Sequence, residues 1–248
     1  LLDMDGTFYL GDRILPGSLD FIKTLGKKDK SYLFFTNNSS KNDQSYAEKL
    51  THMGCTVSAD RIITSGMVTA GYLKREYPGA GVYLMGTSLL AEGMAEEGIR
   101  LTEESPDVVV VGYDTALTYE KLVKVCDFIR GGAPFIATHP DINCPTETGF
   151  VPDCGAICAA ITSSTGVKPT VLGKPEAETV SYILDRTGCE KAALIYVGDR
   201  LYTDIALGRH GITTALVLSG ETREEDLAES DVRPDIVADR LVDLGGLL

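Results

Sequence analysis

The stretch Asp3-Met4-Asp5-Gly6-Thr7 follows the apolar pair Leu1-Leu2 and precedes a glycine-containing turn. Residues i and i+2 of an extended chain point to the same side, so we expect both carboxylates in one cleft at the carboxyl edge of a sheet. Two like charges at so short a distance need a counter-ion or a shared proton. Mg²⁺ is a suitable counter-ion, because it prefers oxygen ligands and often binds one or two carboxylates plus a phosphate. The structural alternative is a solvated turn, which Asp and Gly also favour.

Short apolar runs alternate along the chain with longer amphipathic segments, a pattern typical of βα units around a mostly parallel sheet. Strands are predicted at residues 31–35, 82–85, 108–111, 135–137, 192–197 and 214–217, with Leu1-Leu2 as part of another. Helices are predicted at residues 45–53, 119–130 and 176–187. The run 108–111 consists of valine alone, as expected for a parallel strand that is buried on both faces. The pattern indicates an α/β fold with a doubly wound parallel sheet.

The chain has no tandem repeat, low-complexity tract or flexible linker, so a second domain would be an insertion that is entered through short hinges. Tyr77-Pro78-Gly79 and Val167-Lys168-Pro169 are the candidate hinges. We therefore predict a core made of residues 1–77 plus 171–248. Residues 78–170 are predicted to form a smaller inserted α/β domain.

Composition limits the classes of partner. The 248 residues are 44% hydrophobic and 24% charged, as in ordinary soluble proteins, and no apolar run reaches the roughly 20 residues that span a bilayer. The net charge of −13 argues against nucleic acid and anionic membranes, which demand basic patches. A phosphorylated substrate is compatible with this negative net charge, since local cations can reverse the electrostatic field within one pocket. The first residues lack the features of a secretory signal, so a cytoplasmic protein is expected.

Polar residues follow the strand predicted at 31–35. The hydroxyl of Thr36, the amide of Asn37 and nearby backbone N–H groups are suited to hold phosphoryl oxygens without competing for a metal. The alternative is a helix N-cap, which is the better interpretation for residues 38–40.

Three charged residues in the last third of the chain complete the candidate set. Lys174 precedes Pro175 at the predicted start of a helix, where a cation could neutralise a carboxylate and a phosphate together. An exposed lysine is the alternative. Asp199 follows a buried strand and Gly198, and Asp204 comes five residues later, near a helix start. These two carboxylates are predicted to complete an oxygen-rich metal site, although Asp204 would also suit the helix dipole.

Taken in chain order, these segments resemble the four motifs of the haloacid-dehalogenase superfamily. The extended motif Thr36-Asn37-Asn38 and the long insertion before Lys174 resemble its NagD and p-nitrophenylphosphatase branch, with a type IIA cap. Thr138-His139-Pro140-Asp141 is similar to the substrate-facing cap segment of that branch. The resemblance covers essentially the whole chain and implies a Rossmann-like core with an inserted cap domain.

The resemblance implies a Mg²⁺-dependent phosphatase with a defined set of roles. Asp3 would be the nucleophile and form an aspartyl-phosphate, and Asp5 would be the general acid and base. Mg²⁺ would be bound by Asp3, the Asp5 carbonyl and Asp199, with Asp204 supporting its water shell. The phosphoryl oxygens would be held by a set of three residues: Thr36, Asn37 and Lys174.

The substrate class expected from the family is a small phosphorylated metabolite, such as a nucleotide or a sugar phosphate. Because caps of this type often pair, a homodimer is a further expectation. The rival hypotheses are a catalytically silent binding protein, a receiver-like signalling domain that accepts a phosphoryl group, and a dehalogenase or phosphonate hydrolase on the same scaffold. A dehalogenase needs neither Asp5 nor a magnesium site, and the insertion has no lysine in a distinctive motif for phosphonate chemistry.

Overall fold

A computed structural model describes residues 1–146 and 148–247. Its strands are β1 (Leu2–Asp3), β2 (Tyr9–Leu10), β3 (Arg13–Ile14), β4 (Phe34–Thr36), β5 (Ile62–Thr64), β6 (Gly81–Met85), β7 (Arg100–Leu101), β8 (Val108–Val111), β9 (Phe135–Ala137), β10 (Asn143–Thr146), β11 (Gly149–Pro152), β12 (Thr170–Val171), β13 (Ile195–Gly198), β14 (Thr213–Val217) and β15 (Ile236–Ala238). Its α-helices are α1 (Ser18–Lys27), α2 (Asp43–His52), α3 (Ser65–Glu76), α4 (Ser88–Glu96), α5 (Tyr119–Arg130), α6 (Cys154–Thr165), α7 (Ala177–Thr187) and α8 (Glu224–Glu229). Short 3-10 helices cover Ala59–Arg61, Lys191–Ala193, Ile205–His210 and Leu241–Gly246.

The chain divides into two compact units. The first consists of Leu1–Thr36, Ala47–Ile63 and Val180–Leu248, and the second of Asn37–Tyr46 and Thr64–Thr179. The second unit contains the whole predicted insertion, residues 78–170, together with flanking segments on both sides. The predicted domain boundaries stay a prediction.

The first unit is built on a six-stranded sheet with the order β15-β14-β13-β1-β4-β5. β13, β14 and β15 pair in parallel, and so do β1 with β13 and β1 with β4. The chain moves outward from β1 in one direction through β4 and β5, and later in the other through β13, β14 and β15. The sheet is therefore doubly wound, with its topological switch at β1.

The second unit contains a five-stranded parallel sheet with the order β12-β9-β8-β6-β7. Alternate valines of β8 point to opposite faces: Val109 and Val111 belong to a core with residues of α5 and α6, and Val108 and Val110 to a core with residues of α3 and α4. All four are fully buried. The valine run thus has the two-sided burial that the sequence predicts.

The α/β class and the parallel sheet core are confirmed. The predicted strands at 108–111 and 135–137 match β8 and β9, and the helix at 119–130 matches α5. The strand predicted at 192–197 begins later, because Lys191–Ala193 forms a 3-10 turn before β13. A hairpin of β10 and β11 lies within a stretch rich in turn formers, where no strand was predicted.

Side-chain caps begin several of the helices in the second unit. Thr87 accepts a hydrogen bond from the Leu90 backbone N–H (3.1 Å) at the start of α4, and Thr118 accepts one from Lys121 (3.3 Å) at the start of α5. Asp153 does the same for α6 through the backbone N–H of Cys154 (2.6 Å). Such caps satisfy backbone donors that have no partner within the helix.

Two cysteines of α6 contribute to the core of the second unit. Cys154 and Cys158 lie one turn apart, are buried, and have their Sγ atoms 4.0 Å from each other. The hydrogen bond with Cys154, together with burial, raises the pKa of the Cys158 thiol above its ordinary value. These contacts agree with the packing role that their spacing suggests.

Across the described residues, the structure has no helix with both the length and the apolar character needed to cross a bilayer.

We expect Ile161→Ala to lower the free energy of unfolding by about 2–5 kcal/mol, because Ile161 is fully buried in the α5/α6 core and its removal leaves a cavity. The matched control is Val123→Ala on α5, where the side chain is 43% exposed, and its effect should stay within about 0.5 kcal/mol. Urea unfolding measures both. Equal losses would contradict the assignment of this core.

Candidate active site

Three of the predicted site residues lie at the carboxyl ends of neighbouring strands in the first unit. Asp3 is the last residue of β1, Thr36 is the last residue of β4, and Asp199 directly follows β13. β1 lies between β4 and β13, at the point where the strand order changes direction. The carboxyl edge at such a switch point is where open α/β sheets bind ligands.

Asp3, Asp199 and Asp204 form a buried cluster in which one ligand atom from each lies within 4.8 Å of the others. Asp199 Oδ1 accepts a hydrogen bond from the Thr7 hydroxyl (3.2 Å), and its Oδ2 accepts one from the backbone N–H of Glu221 (2.7 Å). Sequence reasoning did not give these two donors a role. They hold the Asp199 carboxylate in a fixed orientation.

Asp204 is held in a similar way by its own loop. Its Oδ2 accepts a hydrogen bond from the backbone N–H of Arg200 (3.0 Å), and its side chain is fully buried. The 3-10 helix Ile205–His210 begins directly after it, but the Asp204 side chain makes no cap hydrogen bond to that helix. Its carboxylate therefore belongs to the cluster and not to the helix end.

Two glycines let the chain pass close to the Asp199 carboxylate. Gly6 has a φ of +85°, which favours glycine, and a Cβ built there would overlap Asp199. A Cβ at Gly220 would overlap the same side chain. The glycine after Asp5 is thus required both by backbone conformation and by the packing of the acidic cluster.

Asp5 is oriented by a contact within its own turn. The Tyr9 hydroxyl donates a hydrogen bond to Asp5 Oδ2 (3.2 Å), and Tyr9 is fully buried. Lys49 Nζ lies 4.2 Å from the centroid of the Tyr9 ring. The position of Tyr9 as an orienting residue for Asp5 has no sequence signal, because it depends on the path of the turn.

The chemistry of the acidic cluster fits a divalent cation. Asp3, Asp199 and Asp204 offer only carboxylate oxygens, and they are 7%, 2% and 0% exposed. Oxygen donors of this kind suit hard cations, and clustered buried carboxylates stay ionised where positive charge offsets their repulsion. The residues present are therefore able to hold a divalent metal ion.

The other two predicted site residues, Asn37 and Lys174, belong to the second unit and are paired with each other. The backbone N–H of Lys174 donates to Asn37 Oδ1 (2.8 Å), and Asn37 Nδ2 donates to the carbonyl oxygen of Lys174 (3.0 Å). Asn37 Nδ2 also donates to Asp141 Oδ1 (3.1 Å). All three residues are buried. Asp141 was not among the predicted site residues, although it lies in the quoted segment Thr138-His139-Pro140-Asp141.

Comparison with known proteins identifies the family. Residues 1–100 match the family model described as haloacid dehalogenase-like hydrolase, and residues 171–244 match a second model of HAD-like hydrolases. The acid sugar phosphatase of Staphylococcus saprophyticus is 39% identical over 236 residues, which cover 94% of this chain and 91% of that protein.

Solved structures agree with these matches. The 4-nitrophenylphosphatase of Thermotoga maritima superposes with a TM-score of 0.95 at 48% identity, over 99% of this chain and 95% of that one. NagD from Escherichia coli K-12 superposes with a TM-score of 0.90 at 31% identity, over 98% of this chain and 96% of that one. The fold and the relatives define a hydrolase of the α/β class.

The chain belongs to the haloacid dehalogenase-like hydrolases, in the branch of NagD and the p-nitrophenylphosphatases. The prediction of an enzyme of the phosphatase class is thereby confirmed. The hypotheses of a silent binding protein and of a receiver-like domain are disfavoured by the same matches.

We expect Gly6→Ala to destabilise the protein more than Gly54→Ala. Both glycines have a positive φ, which costs an alanine about 1–2 kcal/mol, but only Gly6 is packed against a side chain, whereas a Cβ at Gly54 meets open space. Overpacking against Asp199 should add about 1–3 kcal/mol. Urea unfolding of the two variants measures the difference, and an equal loss would show that Asp199 moves aside freely.

Proposed function

We propose that the chain is a Mg²⁺-dependent phosphomonoester hydrolase that acts on a small phosphorylated metabolite through an aspartyl-phosphate on Asp3. The observation that carries the proposal is the buried cluster of Asp3, Asp199 and Asp204 at the switch point of the sheet, with Asp5 two residues after Asp3. The cluster combines a nucleophile with metal-binding oxygens, and Asp5 adds a second carboxyl group for proton transfer.

Two displacements account for the reaction. A carboxylate oxygen of Asp3 attacks phosphorus and the bond to the leaving oxygen breaks, while Asp5 donates its proton to that oxygen. Asp5 then takes a proton from water, the water oxygen attacks phosphorus, and the bond from phosphorus to Asp3 breaks. Inorganic phosphate leaves and Asp3 is regenerated. The hydrogen bond from Tyr9 holds the Asp5 carboxyl group in one orientation for both transfers.

We assign the metal to Asp3, Asp199 and the backbone carbonyl of Asp5, with Asp204 supporting its water ligands. When bound, Mg²⁺ would supply positive charge against the charge that develops on the phosphoryl oxygens. The choice of Mg²⁺ over Ca²⁺ follows from the small number of protein ligands, since Mg²⁺ keeps several waters and takes one or two carboxylates plus phosphate.

Thr36, Asn37 and Lys174 are proposed to serve the phosphoryl group, as the family motifs imply. Thr36 ends β4 next to β1, and Lys174 carries the positive charge that a phosphate dianion requires. Donors held in place, such as the Thr36 hydroxyl and the Lys174 ammonium group, would orient the phosphorus for in-line attack.

A sugar phosphate is the first substrate class to test, because relatives 38–39% identical to this chain are named acid sugar phosphatases. Nucleotides are the second class. We further propose that the protein works in the cytoplasm on free metabolites, as a monomer or a homodimer, and that its net charge of −13 keeps it from nucleic acids and anionic membranes.

The test is hydrolysis of p-nitrophenyl phosphate by the wild type and by Asp3→Asn, each with Mg²⁺ and with excess chelator. We expect Asp3→Asn to lower kcat by at least about 1,000-fold, because the amide is not a nucleophile at phosphorus. Chelator should abolish wild-type activity and added Mg²⁺ should restore it. The matched control is Asp12→Asn, whose side chain is 90% exposed and whose activity should be unchanged. Absence of activity from folded, Mg²⁺-loaded wild type would overturn the proposal.

A second prediction concerns Tyr9. We expect Tyr9→Phe to lower kcat for a sugar phosphate by about 3- to 10-fold with little loss of stability, since the ring still fills its site but Asp5 loses an orienting hydrogen bond. The loss should be smaller with p-nitrophenyl phosphate, whose leaving group needs less protonation. Tyr32→Phe, in the same unit, is the control. A loss of the same size with both substrates would argue against a role for Tyr9 in proton transfer.

A further inference from the structure

The carboxamide of Asn37 is committed within the protein. A carboxamide has two N–H donors and one carbonyl acceptor. Asn37 Nδ2 donates to the Lys174 carbonyl oxygen and to Asp141 Oδ1, at 3.0 and 3.1 Å, and Asn37 Oδ1 accepts from the Lys174 backbone N–H at 2.8 Å. With both donors used, this side chain has no N–H left for a phosphoryl oxygen.

The pair of hydrogen bonds between Asn37 and Lys174 fixes the backbone of Lys174 on both sides of its Cα atom. The preceding residue, Gly173, has a φ of +71°, and a Cβ there would lie 2.7 Å from the Thr138 carbonyl oxygen and 2.9 Å from Asn37 Oδ1. The chain therefore approaches Asn37 as closely as a glycine allows. The loop before Lys174 is packed closely against Asn37 and Thr138.

Asp141 lies beside two other buried polar residues, His139 and Asp153. His139 Nδ1 lies 3.7 Å from Asp141 Oδ2, and His139 Nε2 lies 3.5 Å from Oδ1 of Asp153. Asp153 caps α6 through the backbone N–H of Cys154. Of the three side chains, Asp141 is the one that accepts a hydrogen bond from Asn37.

The same cluster of His139, Asp141 and Asp153 has donor atoms close enough to be considered as a metal site. The two carboxylates, however, face different nitrogens of one imidazole. A metal ion takes one imidazole nitrogen, so the second carboxylate would face the wrong side of the ring. This geometry argues against a single metal ion bound by all three residues.

We propose that Asn37 and Asp141 are positioning residues that fix the backbone of Lys174, the residue proposed above to bind the phosphoryl group. The inference rests on the proposed function and changes the role of Asn37 within it. The side chain of Asn37 acts through Lys174 and does not touch the substrate.

A donor–acceptor swap tests the proposal. Asn37→Asp removes both N–H donors and places a carboxylate against Asp141, so it should displace Lys174. Asp141→Asn alone keeps an acceptor for Asn37. In the double variant, the amide introduced at position 141 donates to the carboxylate introduced at position 37. That carboxylate still accepts from the Lys174 N–H, and the net charge equals that of the wild type. Only the hydrogen bond to the Lys174 carbonyl oxygen is lost.

We expect Asn37→Asp to lower kcat/KM for p-nitrophenyl phosphate by about 100-fold and to raise the inhibition constant of inorganic phosphate by about 10-fold, because a small displacement of a positioning group costs that much. Asp141→Asn should lower kcat/KM by about 3-fold, and the kcat/KM of the double variant should return to within about 10-fold of the wild-type value. Asn42→Asp adds the same charge at a helix N-cap of the same unit and should leave these values unchanged.

Rescue by the second substitution separates positioning from direct contact. If Asn37 contacted the substrate through its N–H groups, the double variant would be no more active than Asn37→Asp, and that result would overturn the proposal. Wild-type activity in Asn37→Asp would overturn it as well. Should Asn37→Asp fail to fold by circular dichroism, a folded and active double variant still supports positioning, and a folded, inactive one opposes it. An inactive wild type would instead reveal failure of the proposed function.

Discussion

Three carboxylates that repel one another are buried together at the carboxyl edge of the six-stranded sheet, and the first unit is arranged around them. Asp3 and Asp199 come from the ends of neighbouring strands, and Asp204 comes from the loop that follows. Burial strengthens the repulsion between the carboxylates, and hydrogen-bond donors and a bound cation would offset it. The Thr7 hydroxyl and the Glu221 N–H stabilise Asp199. A bound cation would supply the positive charge that these neutral donors lack.

The acidic cluster restricts the backbone around it. Because carboxylates occupy the space above the strand ends, the chain must pass them without side chains, and a Cβ at Gly6 or Gly220 would overlap Asp199. Gly198 is under the same restriction, since a Cβ there would overlap Asp204. The glycines of the two acidic motifs are therefore consequences of packing against the cluster. Conformational freedom is an added requirement only at Gly6, where φ is positive.

Much of the fold could be predicted, because a parallel strand that is buried on both faces must be continuously apolar, as β8 is. Short or exposed strands lack that pattern, so β5, β15 and the hairpin of β10 and β11 were missed. Asp3 and Asp199 could be predicted because each follows an apolar run, and Asp5 and Asp204 could be predicted from their spacing to those two acids. The contacts of Tyr9 and Asp141 could not be predicted from the sequence. Tyr9 reaches Asp5 through the path of a turn, and Asp141 reaches Asn37 from a loop that is distant in the chain.

In the role proposed for it above, Asn37 is a residue whose type alone does not indicate its function. An amide next to a candidate phosphate site looks like a phosphate ligand, yet its donors satisfy the Lys174 backbone and Asp141. Aspartate at this position would lack both donors, and glutamine would carry them one methylene too far. Only asparagine bonds the N–H and the carbonyl of one residue while it also donates to a buried carboxylate. Asp141 thus lies against an amide donor and the imidazole of His139, whereas the acidic cluster of the first unit would take its positive charge from a bound cation.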